Sequence, residues 1–365
     1  MTAHLPAATA IDGYLSNLAA ARACEADRRA RLDPQVVDAI TAAGFTRHFA
    51  AGGTFTTLFD AVADLAETCT SAAWCASLWA THARFAGYLS PPARDDIWAA
   101  GPDVRIGAAL TTFQAHARRT DDDWILQGRW EFVSGADFTD WFLLSCPDPT
   151  DATVRVHLVP RQACTIERTW DTTGMRGTGS HTVVLAPTPV PGYRTMPLAR
   201  ILLGSDRPET TRTQQAPAQL AGGLLFVAAA LGAARRTLAL WAEQHSPGTG
   251  VDPAVGYRAG QTTAESAAHI DAAGALLSSA IQRADNDPIN PALVARNHRD
   301  AIAALRLLLS AVDRLAAASG LSAQRTGDGI NRRWRDVHTL SAHGALAWEQ
   351  AAATYVAALI SRPTP

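Results

Sequence analysis

A chain of 365 residues and 38.6 kDa is long enough for two or three ordinary domains, or for one enzyme fold whose parts share a core. With 47% hydrophobic and 18% charged residues and a formal net charge of −2, it has the profile of a folded globular protein, which excludes a disordered chain or a coat for nucleic acid. No N-terminal stretch reads as a signal peptide and no uninterrupted apolar run has membrane-spanning length, so a cytoplasmic protein without membrane or nucleic-acid partners is expected.

From about Ala10 to Ala99 apolar residues recur at three and four, as in Pro34 to Ala43 and Phe59 to Ala66, which predicts helices separated by Gly52-Gly53. Pro91-Pro92 marks a further boundary, with Pro92 in the first turn of a short helix ending near Gly101. The middle third changes period. Val104 to Leu110, Trp124 to Val133, Trp141 to Cys146, Val154 to Val159 and His181 to Leu185 are short β-branched or aromatic runs between Asp, Gly and Pro clusters, which predicts an antiparallel sheet or small barrel. From Ala216 onward the helical period returns in long stretches, broken at Ser246-Pro247-Gly248 and between Asn286 and Pro291. Asn290 before Pro291 reads as an N-cap with proline at the first helical position, and Leu305, Leu308, Val312 and Leu315 share one face of the helix that follows. The expected class is therefore α+β, mainly α, with an N-terminal helical domain (1–102), a central antiparallel β domain (103–200) and a C-terminal four-helix bundle (201–365).

The five cysteines, Cys24, Cys69, Cys75, Cys146 and Cys164, are odd in number and scattered, and they read as small buried hydrophobes, not as a disulfide framework or a zinc site. All 32 basic residues are arginine. The absence of lysine removes a P-loop lysine, a Schiff-base lysine and a lysine general base together. His338 and His343 are five apart, which is not the spacing of a zinc helix, and no metal is indicated.

Three segments carry a resemblance. Gly128-Arg-Trp-Glu-Phe-Val-Ser-Gly135 followed by Asp140-Trp141, and Trp170-Asp-Thr-Thr-Gly-Met-Arg-Gly-Thr-Gly-Ser180 before a strand, resemble the two β-domain signatures of the flavin monooxygenase branch of the acyl-CoA dehydrogenase superfamily. Asn331-Arg-Arg-Trp-Arg-Asp-Val-His-Thr-Leu-Ser-Ala-His343 resembles the helix of that branch that carries Trp-Arg-Asp and then a histidine. Dehydrogenases of the superfamily have a tyrosine-glutamate-glycine step here, and their glutamate base falls on Gly344 of this chain, with Glu349 five residues further on.

The resemblance implies an oxygenase component that uses reduced FMN or FAD and O2, with the flavin supplied by a separate reductase, and a homodimer or homotetramer. Its substrate would be a small aromatic, polyketide or amino-sugar intermediate of secondary metabolism. Oxygen activation by reduced flavin needs a pocket that excludes water, because hydrogen peroxide is otherwise lost before oxygen transfer. It puts Ser134 beside the flavin N5 and C4a edge, His343 facing the ring, and His82 of Trp79-Ala-Thr-His82 on a pocket-lining helix; these are the candidate catalytic residues. Trp130, Phe132, Ser134, Gly135, Thr178 and Ser180 are the candidate flavin contacts. Read without it, Ser134-Gly135 is a turn pair, the histidines are partly buried helix residues, Trp130 and Phe132 are core aromatics, and Arg335-Asp336 is a link between helices. The Arg-x-x-Phe-Gly element that grips the adenine half of FAD is replaced by His245-Ser-Pro-Gly-Thr-Gly, and the glycine turn near Ser319-Gly320-Leu321 is only partly present. That departure favours FMN or borrowed reduced flavin. Two other readings are an acyl-CoA dehydrogenase or desaturase with a relocated base, and a flavin-free relative with a scaffold or non-redox role.

Overall fold

A computed structural model describes residues 12–111, 114–205, 210–245, 253–325 and 327–360. Five helices come first: α1 (Gly13–Arg29), α2 (Pro34–Ala42), α3 (Phe55–Thr68), α4 (Thr70–Ala86) and α5 (Pro91–Trp98). Strands β1 (Ile106–Ala109), β2 (Ala115–Thr120), β3 (Asp123–Val133), β4 (Trp141–Pro147), β5 (Val154–Pro160), β6 (Thr165–Glu167), β7 (His181–Val190) and β8 (Thr195–Pro197) follow. The short helices α6 (Ala199–Leu203) and α7 (Arg212–Gln215) lead to α8 (Ala218–Gln244), α9 (Pro253–Asn286), α10 (Pro291–Ala318), α11 (Gly329–Ser341) and α12 (Trp348–Ile360). Residues 246–250, where the sequence predicted a break, lie outside the described residues.

The strands form two four-stranded sheets, ordered β1-β4-β5-β8 and β2-β3-β7-β6. Their facing sides share one apolar core that includes Trp124, Trp130, Phe142, Leu144, Val159 and Leu185. Pairing is antiparallel as expected except between β1 and β4, which run parallel. The strands not foreseen, β2, β6 and β8, all lie at sheet edges.

The helical parts share a second core that joins α1–α4 to α8–α11. Alanine and glycine allow this close packing: a Cβ on Gly232 of α8 would lie 1.9 Å from the Ala63 carbonyl oxygen of α3, so the two backbones touch. Asn290 caps α10 as its sequence implies, its side chain accepting from Leu293 N at 2.9 Å, and Leu305, Leu308, Val312 and Leu315 are all buried. Helix α8 is long and apolar enough to cross a membrane, although the sequence offers no uninterrupted run of that length. Two-thirds of its apolar window is buried inside the protein, which accounts for its hydropathy.

Candidate active site

Helix α4 is buried along every face, with Ala83 alone half-buried, because it threads between the other helices and the β domain. Its Trp74 indole Nε1 donates to Ser134 Oγ at 3.0 Å. Ser134 follows the end of β3, where a register shift between Trp130 and Val133 forms a bulge and Phe132 adopts φ +62°. Such a bulge rotates the following side chains out of the strand's alternation, and a non-glycine residue held at positive φ marks a locally constrained backbone. Gly135 then turns with φ +68°, and its N–H donates to the Thr178 carbonyl at 2.8 Å. A Cβ here would stand 2.9 Å from a ring carbon of Trp79, so glycine is needed for both conformation and space.

The loop from Asp171 to Ser180 brings a second set of hydroxyls to the same place. Ser180 Oγ lies 2.8 Å from Ser134 Oγ and 2.8 Å from Thr178 Oγ1. The loop is anchored from the far end of the chain, by α11. Asp336 accepts the Met175 N–H at 2.6 Å, Arg335 donates to the Thr173 carbonyl and pairs with Asp27 of α1 at 2.7 Å, and Met175 itself sits at φ +52°. Arg335-Asp336 is thus the inter-element link that its spacing allowed, tying α1, α11 and the β domain together.

Burial raises the Asp336 carboxyl to about 6, against 3.8 ordinarily. The folded state therefore holds its proton to higher pH than the unfolded chain does. This group's contribution to stability is complete below pH 4 and declines as pH rises through 6, by about 3 kcal/mol in all. Asp336→Asn keeps an acceptor for Met175 N without a titrating proton. Denaturant melts from pH 4 to 8 should show a flatter profile for that variant, and parallel profiles would refute the assignment.

His343 stands just beyond the end of α11. Its side-chain Nδ1 accepts from Ala345 N at 3.2 Å, and its ring lies 4.8 Å from Phe226 and 5.7 Å from Trp74 between centroids. The protein packed around the imidazole lowers its pKa by desolvation, although one side remains open. A backbone N–H can only donate, so the neutral ring holds its hydrogen on Nε2 and presents a donor. The turn that carries it is held by His298 of α10, whose Nε2 donates to the Ala345 carbonyl at 2.9 Å.

His82 has the opposite polarity. Its Nδ1 donates to the Ile106 carbonyl at 2.9 Å, which leaves Nε2 an acceptor, and burial pushes its pKa down to about 4. It lies eight residues past Trp74 on α4, roughly 12 Å along the axis. Ser134, Thr178, Ser180 and His343 therefore gather around Trp74, and His82 does not join that group.

Phe132 is 71% exposed and edge-on to Trp170, with centroids 6.2 Å apart. Trp130 is fully buried between the sheets and its Nε1 donates to the Ser145 carbonyl at 2.8 Å, so its place as a flavin contact is corrected to that of a core aromatic. Glu349 is exposed in the first turn of α12. Trp74 and Phe226 were missed, because an aromatic in an apolar helix has the same spacing whether it fills a core or lines a site.

Family models bear on this arrangement. Residues 98–187 match the model "Acyl-CoA dehydrogenase, middle domain" and residues 224–348 match "Acyl-CoA dehydrogenase, C-terminal domain", together more than half the chain. The chain is 28% identical over 323 residues to the flavin-dependent monooxygenase oxygenase subunit HsaA of Rhodococcus jostii, covering 81% of this chain and 82% of that protein. It is 32% identical over 149 residues to the oxygenase component of the FADH2-dependent resorcinol hydroxylase of a Rhizobium species, covering 40% of this chain and 36% of that protein. The crystal structure of the HsaA monooxygenase from M. tuberculosis superposes with a TM-score of 0.86 at 25% identity, over 96% of this chain and 97% of that one.

Proposed function

The chain belongs to the acyl-CoA dehydrogenase family, in its flavin-dependent monooxygenase branch, and from that premise we propose that it is the oxygenase component of a two-component system acting on a small aromatic substrate. Reduced FMN or FAD, when bound, activates O2 and transfers one oxygen atom. A flavin reductase would deliver it as a transient partner. The observation that carries this reading is that the line of hydroxyls from Ser134 to Thr178 and the ring of His343 both meet Trp74, with Gly344 next to His343 at the position of the glutamate base of the dehydrogenases.

The residues fit a flavin ring. Trp74 and Phe226 offer apolar surface to a planar face, and Ser134 and Ser180 offer hydroxyls to a polar edge. In this reading Ser134 positions the N5 edge, Gly135, Thr178 and Ser180 keep the backbone close, and the Nε2–H of His343 hydrogen-bonds to substrate or to reacting oxygen. His82 lies one turn beyond Trp79, and as a weakly basic acceptor it suits a hydroxyl of the substrate. Exposed Val356, Leu359 and Ile360 on α12 support a homodimer or homotetramer, which a solution mass would identify.

The test is spectral. Anaerobic protein with reduced FMN or FAD, mixed with oxygenated buffer, should give a transient absorbance distinct from both free reduced and oxidised flavin. Reoxidation at the rate of free flavin would refute the proposal.

A further inference from the structure

The hydroxyls near Trp74 form a chain with only one hydrogen available at each oxygen. A hydroxyl has one donor hydrogen and two acceptor lone pairs, an indole N–H only donates, and a carbonyl only accepts. Trp74 Nε1 donates into the chain at Ser134, 3.0 Å away. At the other end Thr178 Oγ1 lies 2.8 Å from the Met175 carbonyl oxygen. Two oxygens at that separation repel unless a hydrogen lies between them, so the Thr178 hydrogen is committed to Met175. The contact between Thr178 and Ser180, 2.8 Å, then takes its hydrogen from Ser180, and the contact between Ser180 and Ser134, also 2.8 Å, takes its hydrogen from Ser134.

We infer that Thr178 and Ser180 are positioning residues that commit the Ser134 hydrogen inward, so that Ser134 meets a flavin as an acceptor and favours the reduced ring over the oxidised one. The inference rests on the flavin-binding reading above. Reduced flavin carries a hydrogen on N5, and oxidised flavin presents a bare lone pair there. The second lone pair of Ser134 matches the first and opposes the second. The Met175 carbonyl sets the sense of the whole chain, and its own N–H is fixed by Asp336 at 2.6 Å, so the polarity of the site is determined from α11.

The sense of the chain can be reversed without changing its shape. Thr178→Val keeps the side-chain volume but removes the donor to Met175 and the acceptor for Ser180. Ser180 then donates to Ser134, and Ser134 turns its hydrogen toward the ring. Ser180→Ala frees the same hydrogen by a different route, and Thr178→Ser preserves the original sense.

The measurement is the ratio of dissociation constants for oxidised and reduced FAD or FMN, titrated with the full-length protein in air and under anaerobic conditions. Wild type and Thr178→Ser should favour the reduced form. The ratio should fall about tenfold in both Thr178→Val and Ser180→Ala. If wild type binds flavin and neither folded variant changes the ratio by more than twofold, the relay is refuted and the monooxygenase reading stands. If wild type binds neither form of either flavin, the reading itself is lost and the inference falls with it.

Discussion

Replacing His343 with alanine should lower the product formed per flavin oxidised by about 100-fold, the scale of a lost proton-handling or donor group. Flavin oxidation itself should continue, with hydrogen peroxide replacing product. Stability should change by no more than about 0.5 kcal/mol, because the Ala345 N–H that loses its acceptor is exposed and can turn to water. His343→Gln, which can again offer an N–H, should recover part of the coupling. Desolvation holds the imidazole neutral to below its ordinary range, so the donor form is complete at neutral pH and the product-to-peroxide ratio should stay flat from pH 7 upward. A ratio that rises or falls steeply there, or an alanine variant as well coupled as wild type, would remove His343 from the chemistry.

Gly174→Ala should destabilise the protein by about 3 kcal/mol and abolish flavin binding. A Cβ at this position would lie 2.1 Å from the Arg335 carbonyl oxygen and 2.7 Å from Asp336 N, both of them backbone atoms of a helix that cannot turn aside. The loop would have to lift from α11, and Met175 N would leave the buried Asp336 carboxyl without its partner. Thr178 and Ser180 ride on the same loop. Gly222→Ala is the control: its Cβ meets nothing within 4 Å on the exposed-to-intermediate side of α8, and alanine is the better helix former by about 1 kcal/mol. Thermal and denaturant melts of the pair would test this, and equal stabilities would refute the role assigned to the loop contact.

Most of the fold was legible because its signals are local. The change from a period of 3.6 to a period of 2 near Ile106, the Asn290-Pro291 start of α10 and the apolar face of that helix each follow from neighbouring residues. The strands that escaped notice are sheet edges. In β2, Ala115–Thr120, the residues His116, Arg118 and Arg119 face solvent or its margin and break the alternation that marks a half-buried strand, as edge strands do. The site was legible only where a motif marked it. Ser134, Thr178, Ser180 and His343 stood out through resemblance, and the structure gathers them. Trp74 and Phe226 were invisible, and Trp130 misled, because an indole at a strand position carries no sign of which face of the sheet it will occupy. The pairing of Met175 with Asp336 spans 161 residues and leaves no trace in either neighbourhood.

That separation also orders events in time. A ribosome adding about 5 to 20 residues per second finishes the glycine loop roughly 8 to 32 s before the matching part of α11 is made. Through that interval the nascent β domain can close its two sheets, since their core uses only its own residues. The loop that carries Thr178 and Ser180 can already rest on α1, where Arg176 donates to the Asp27 carbonyl at 2.9 Å, but it still lacks the contacts of Arg335 and Asp336. The last anchors of the loop, from Arg335 and Asp336, are thus added only after the β domain has been made.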